Sequence, residues 1–112
     1  MFGNYRCAVL FATVSTSSEG WSVLSVTGDC DLASGPELRK QIQRAATDAD
    51  RLVIDLSAVG FLDSVGLGLL VGAARRVERL VVVAPEGSSA RRALDSSRLV
   101  EILDVREAAP DS

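Results

Sequence analysis

The chain has 112 residues, of which 47% are hydrophobic and 24% are charged, so it can bury a core and is not expected to be disordered. Its net charge of −3 argues against nucleic acid as a partner, because nucleic-acid binding needs a basic surface. The absence of histidine excludes histidine-based acid–base catalysis and histidine metal ligation. We expect no cofactor and no metal site.

The two cysteines and the apolar segments indicate in which cellular compartment the protein is expected. Cys7 and Cys30 are too far apart for a C-x-x-C motif, and buried thiols are favoured over a disulfide or redox switch, although the two could still meet. The first residues have too short an apolar part for a signal peptide. The longest apolar run, residues 65–74, is shorter than the roughly 20 residues that span a membrane. We therefore expect a soluble, cytoplasmic protein without a membrane partner.

The first part of the chain predicts two strands and a helix. Residues 6–14 and 21–27 suit two strands joined by a turn-rich connection, and we expect them to pair as a hairpin. Residues 28–31 break the strand pattern, and Ser34, with Pro36 in the first turn, begins a helix. The apolar face of this helix consists of Leu38, Ile42 and Ala45 or Ala46.

The second part predicts strands that alternate with helices. Residues 51–56 suit a strand covered on both faces, and a loop leads from it to a helix that is capped by Asp63 or Ser64 and ends near Val77. The later elements are a strand over 80–84, a helix capped by Ser88 or Ser89, and a short strand over 99–105. Because parallel strands need crossover helices, this order predicts an α/β fold in a single domain.

Ser64 stands at the predicted start of the second helix. The first turn of a helix has unpaired N–H groups and partial positive charge, so a phosphate there would gain hydrogen bonds and a favourable field. Gly66 and Gly68 follow closely, and each costs a helix up to about 1 kcal/mol. Such a cost indicates close approach by another helix, the sheet or a partner.

A purely structural interpretation fits the same residues. Asp63 and Ser64 are ordinary N-caps, and Leu62 with Leu67 would form a hydrophobic staple. Glycines at 68 and 72 would then only let the helix lie close to the sheet. Local physics alone favours this simpler interpretation.

Two motifs resemble the signatures of one family. Residues 63–68, Asp-Ser-Val-Gly-Leu-Gly, resemble the D-S-x-G-L-G signature of STAS domains, specifically of the anti-sigma-factor antagonists. Residues 28–34, followed by Pro-Glu-Leu at 36–38, are similar to their second signature, a G-[DE]-x-D loop that leads into the first helix. The element order also matches, over about residues 6–105. The resemblance implies a STAS-like sandwich: a mixed sheet of about 4–5 strands with an N-terminal hairpin and helices packed on the sheet.

The resemblance also implies a function. In that family an anti-sigma factor, which is a serine kinase, phosphorylates the motif serine. The unphosphorylated antagonist binds the anti-sigma factor and frees the sigma factor, the phosphorylated form dissociates, and a serine phosphatase resets it. On this chain the phosphoacceptor would be Ser64, with Asp31 beside it, although Asp29 and Asp31 are equally suited to capping a turn and the next helix. The residues expected to contact the partner are Asp29, Asp31, Asp63, Gly66, Leu67, Gly68 and Val71.

The sequence departs from the family pattern in two places. The connection over 75–79 is short and the terminal helix before Pro110 is nearly absent, so contacts through that helix are in doubt and the oligomeric state stays open. An enzyme is not expected, because a G-x-G-x-x-G loop would need glycine at Val71 and Ser64 has no histidine to activate it. A STAS scaffold of a larger signalling assembly, without a phospho-switch, remains the alternative. The cytoplasmic tail of an anion transporter is disfavoured because no membrane helix is predicted.

Overall fold

The computed structural model describes residues 10–16, 20–30, 34–47 and 49–109. The elements in chain order are β1 (Leu10–Thr16), β2 (Ser22–Cys30), α1 (Gly35–Ala46), β3 (Arg51–Leu62), α2 (Ser64–Ala74), β4 (Arg79–Val83), α3 (Ser89–Ser96), a 3₁₀ turn (Leu99–Glu101) and β5 (Asp104–Arg106).

The five strands form one sheet in the order β1-β2-β3-β4-β5. β1 and β2 are antiparallel neighbours, and the other three neighbouring pairs are parallel. Each parallel connection moves one strand along in the same direction, so right-handed crossovers place the helices on one face of the sheet. The predicted α/β fold, with a mixed sheet and an N-terminal hairpin, is confirmed.

The larger core lies between this face of the sheet and the helices. It is built from Leu24, Val26, Leu52, Ile54 and Val82 of the strands and from Leu38, Leu70 and Leu94 of the helices. The opposite face carries a smaller cluster of Trp21, Val53, Val81 and Val83. The guanidinium groups of Arg51 and Arg79 lie 5.2 and 5.7 Å from the centre of the Trp21 ring. Successive residues of β3 are thus buried on both faces, as predicted.

β2 and β3 are longer than the sequence predicts. β2 continues beyond Thr27 to Cys30, and β3 continues beyond Leu56 to Leu62. Eleven residues of β3 lie opposite nine of β2, so the register shifts twice. Each shift changes which side chains face the core, and this interrupts the alternation by which a strand is recognised in a sequence. The segment that leads to Ser64 is therefore a strand and not a loop.

Two further boundaries differ from the predictions, and one predicted alternative is decided. α2 ends at Ala74 and not near Val77, because the N–H of Arg75 bonds back to the carbonyls of Gly72 and Ala73 in a tight final turn. The strand predicted over 99–105 is a 3₁₀ turn followed by the three residues of β5. Ser88, not Ser89, caps α3 through a hydrogen bond from the N–H of Arg91.

Some expectations concern residues that the structure does not describe: Cys7, Asp31 and Pro110 lie outside the described ranges. Cys30 is fully buried in the core, as expected for a core cysteine. Within the described ranges no helix is long and apolar enough to cross a membrane.

The packing predicts how strongly α2 depends on its buried face. Leu70 is fully buried, so Leu70→Ala should lower the free energy of unfolding by about 2–5 kcal/mol through lost burial and the cavity left behind. Ile102 is 70% exposed, so Ile102→Ala should change it by no more than about 0.5 kcal/mol. Urea titration followed by circular dichroism measures both. Equal effects of the two substitutions would contradict this packing.

Candidate functional site

Asp63 holds the start of α2. It lies just outside the helix in an extended conformation, and its carboxylate oxygen Oδ1 accepts hydrogen bonds from the N–H groups of Val65 (2.9 Å) and Gly66 (3.2 Å). Its own N–H donates to the carbonyl oxygen of Cys30, at the end of β2 (3.0 Å). Asp63 therefore caps the helix and also attaches it to the sheet. Of the two predicted caps, it is Asp63 that serves.

Ser64 is the first residue of α2, and its side chain is exposed. Because Asp63 supplies the cap, the Ser64 hydroxyl forms no hydrogen bond with any described residue. The hydroxyl is thus accessible at the surface and is not engaged in holding the helix.

The helix start offers a phosphate fewer hydrogen bonds than the sequence predicts. The N–H groups of Val65 and Gly66 already donate to the Asp63 carboxylate, and the N–H of Leu67 donates to the Asp63 carbonyl oxygen (2.9 Å). The expectation that these donors would hold a phosphate on Ser64 is wrong. A phosphate there would gain the field of the helix, which the neighbouring carboxylate opposes, but no hydrogen bond from these three N–H groups.

The ends of β2 and β3 form the surface beside this helix start. Asp29 of β2 pairs with Phe61 of β3, and Asp29 is half-buried. Phe61 is 51% exposed, which is unusual for so large an apolar side chain. Sequence analysis missed Phe61 because it treated the segment as a loop. The signal that could have revealed Phe61 is the pattern of apolar residues near the end of β3. In this pattern Val59 and Leu62 are buried and Phe61 is exposed to solvent.

Gly66 is required by packing inside the chain. A Cβ atom at this position would lie 2.5 Å from Cδ1 of Leu62 and 3.0 Å from the carbonyl oxygen of Cys30. Glycine therefore lets α2 approach the ends of β2 and β3. Gly66 is buried, so its place among the residues predicted to contact a partner is wrong.

The start of α1 packs against the start of α2. A Cβ atom on Gly35 would lie 2.9 Å from Cγ1 of Val65. Ser34, predicted to begin α1, precedes the helix but does not cap it: its hydroxyl donates to the carbonyl oxygen of Asp29 (2.6 Å). The two helix starts and the end of β2 therefore form one packed unit around Ser64.

Gly68 and Gly72 face away from the sheet. A Cβ atom at either position would meet no atom of the described residues within 4 Å, so neither glycine is needed for packing of α2 on the described sheet, contrary to the structural interpretation. Ser64, Gly68 and Gly72 are spaced by four residues and share one exposed face of the helix. Leu67 and Val71 are half-buried at the border of this face.

The sequence of this chain matches a known protein family. Residues 14–106 match a family model described as "Mlab, STAS domain". The chain belongs to the STAS-domain family. The resemblance inferred from the two sequence motifs is thereby confirmed.

Two curated relatives of this STAS domain are anti-sigma factor antagonists. "Anti-sigma-F factor antagonist RsfB" of Mycobacterium tuberculosis is 41% identical over 76 residues, which are 65% of this chain and 62% of RsfB. The "Anti-sigma-B factor antagonist" of Bacillus subtilis is 30% identical over 82 residues, which are 73% of this chain and 70% of that protein. The match therefore spans less than two thirds of the length of RsfB.

A solved structure supports the same relationship. The crystal structure of an anti-sigma factor antagonist from Mycobacterium paratuberculosis has a TM-score of 0.85 and 32% sequence identity to this STAS domain. The superposition covers 93% of this chain and 91% of that one. The described part of the chain contains no group of three or more side chains that could hold a metal ion.

The different surroundings of two glycines in α2 lead to opposite predictions. Gly66→Ala should lower the free energy of unfolding by about 1–3 kcal/mol, because the new methyl group overlaps Leu62 and the Cys30 carbonyl. Gly68→Ala should raise it by up to about 1 kcal/mol, because alanine favours the helix and the site is open. Thermal unfolding of the two variants tests this. A loss of stability in Gly68→Ala would contradict the outward orientation of that glycine.

Proposed function

We propose that this STAS domain is an anti-sigma factor antagonist. Its unphosphorylated form binds an anti-sigma factor that is also a serine kinase and so releases a sigma factor, and phosphorylation of Ser64 abolishes this binding. The exposed Ser64 hydroxyl, which forms no hydrogen bond with a described residue, carries the proposal. The names of the two curated relatives support it.

The charges around Ser64 explain how one phosphate could act as a switch. Phosphorylation adds about 1.5–2 negative charges at neutral pH. The residue next to Ser64, Asp63, already carries a negatively charged carboxylate. The N–H groups of Val65 and Gly66 donate to that carboxylate and are not available to a phosphate. Water therefore has to solvate much of the added charge, and a partner that covers it must remove that water without compensation from these two N–H groups. The complex is weakened as a result.

The proposed contact surface surrounds the phosphoacceptor. Its apolar part consists of Leu67 and Val71, which neighbour the exposed backbone of Gly68 on α2, and of Phe61 near the end of β3. Its acidic part consists of Asp29 and Asp63, to which we add Asp31 on the sequence motif. An apolar centre with a polar rim is typical of protein–protein interfaces.

The proposed function is binding and not catalysis. The sequence has no histidine to activate Ser64, so the kinase partner must supply the activation and the ATP. A serine phosphatase would remove the phosphate and restore binding. Because sigma factors act on RNA polymerase, the proposal places the chain in the cytoplasm.

Substitutions at Ser64 test the proposal. Ser64→Ala should bind the purified anti-sigma factor kinase as tightly as the unmodified chain and should stay bound when ATP is added. Ser64→Asp should bind at least about tenfold more weakly, because it places a permanent charge beside Asp63. Isothermal titration calorimetry measures both affinities.

Ser96→Asp is the matched control, since Ser96 is an exposed serine on α3 and the substitution adds the same charge. Its affinity should equal that of the unmodified chain. Equal affinities of Ser64→Ala and Ser64→Asp would contradict the switch. Binding that is also insensitive to kinase and ATP would favour the alternative, a scaffold module without a phospho-switch.

A further inference from the structure

A groove of about 240 Å³ runs between α1 and α2. Its lining includes Arg39 and Ile42 of α1, Gly68, Leu69 and Gly72 of α2, and Arg76 just beyond the end of α2. Ile42 belongs to the core, and Leu69 is half-buried against it. The groove therefore has an apolar floor, a wall without side chains at the two glycines, and a cation on each helix side.

The two glycines keep this groove open at a cost to α2. Glycine in the middle of a helix is less favourable than alanine. At Gly66 the fold needs glycine, because a Cβ atom would overlap Leu62 and Cys30. At Gly68 and Gly72 nothing in the described chain lies within 4 Å of such an atom. Folding of the described part does not require these two glycines, and their effect is to leave room for a group from outside.

The charge of the groove specifies that group. Arg39 and Arg76 are exposed, and neither forms an ion pair with a described carboxylate. This positive pair lies on a chain whose net charge is −3. A segment that fills the groove would satisfy both guanidinium groups if it carried carboxylates on either side of an apolar side chain.

We propose that the groove binds an acidic amphipathic helix of the anti-sigma factor kinase. The apolar side chain of that helix lies on Gly68 and Gly72, and its carboxylates pair with Arg39 and Arg76. This inference rests on the proposed function, because the glycine face is continuous with Ser64. A partner that covers the phosphoacceptor thus extends along α2 into the groove.

Two other occupants fit the groove less well. A nucleotide needs free N–H groups around its phosphates, but Gly68 and Gly72 lie inside α2, where the backbone N–H groups are used by the helix. A second copy of this chain would have to offer an acidic helix. α2 has no acidic residue, and α1 and α3 have only Glu37 and Asp95 beside several basic residues. The described helices are therefore poor complements to the groove.

Charge reversal tests the ion pairs. Arg39→Glu should weaken binding to the anti-sigma factor kinase by about tenfold or more. Lys40→Glu is the control, because Lys40 is exposed on the same helix, does not line the groove and gives the same change in net charge. It should change the affinity by less than about twofold. Hydrogen exchange should show that an acidic helix of the kinase is protected in the complex and loses protection with Arg39→Glu.

A second variant separates docking from folding. Gly72→Ala should raise the melting temperature of the free chain, because the position is open and alanine favours the helix, yet weaken kinase binding several-fold. Unchanged binding by both Arg39→Glu and Gly72→Ala, while Ser64→Asp still loses binding, would overturn the groove inference and leave the proposed function intact. Failure of the unmodified chain to bind the kinase would overturn both.

The competing occupants have their own readouts. ADP binding by the isolated chain that Arg39→Glu abolishes would assign the groove to a nucleotide and overturn the inference. A dimer of the isolated chain, seen by light scattering and lost in Arg39→Glu, would assign it to a second copy with the same consequence.

Discussion

The position of Ser64 depends on the hydrogen bonds of its neighbour Asp63. The Asp63 carboxylate accepts two N–H groups of the first turn of α2, and its N–H donates to the end of β2. Asp63 thus follows the last residue of β3, caps α2 and links the start of that helix to the end of β2. Because Asp63 supplies the cap, the Ser64 hydroxyl is not needed to hold the helix, and it lies exposed at the surface. The acidic cap that makes the serine accessible also makes an added phosphate unfavourable beside it.

Glycine has two different roles along α2. Gly66 faces inward and allows the helix to reach the strand ends, which is a requirement of the fold. Gly68 and Gly72 face outward, on the same side as Ser64, where a Cβ atom would contact no atom of the described chain. The first role explains how the phosphoacceptor is positioned, and the second is the basis for the proposed docking of a partner helix.

The alternation of strands and helices could be predicted from the sequence, because most of these segments keep a regular apolar period. The extension of β3 to Leu62 could not, because two register shifts against β2 interrupt that period, and the exposed Phe61 was missed with it. The motif serine and its acidic neighbour were predicted, whereas the different roles of Gly66 and Gly68 were not. Those roles depend on which atoms from β2 and β3 lie beside each glycine, and spacing along the chain does not contain that information.

In the proposed switch, one phosphate on one serine separates two proteins. The most direct measurement combines native mass spectrometry of the complex with mapping of the phosphate after incubation with the anti-sigma factor kinase and ATP. We expect one added phosphate, located on Ser64, and dissociation of the complex in proportion to its appearance. Phosphate on another residue, or a complex that persists with Ser64 fully phosphorylated, would contradict it.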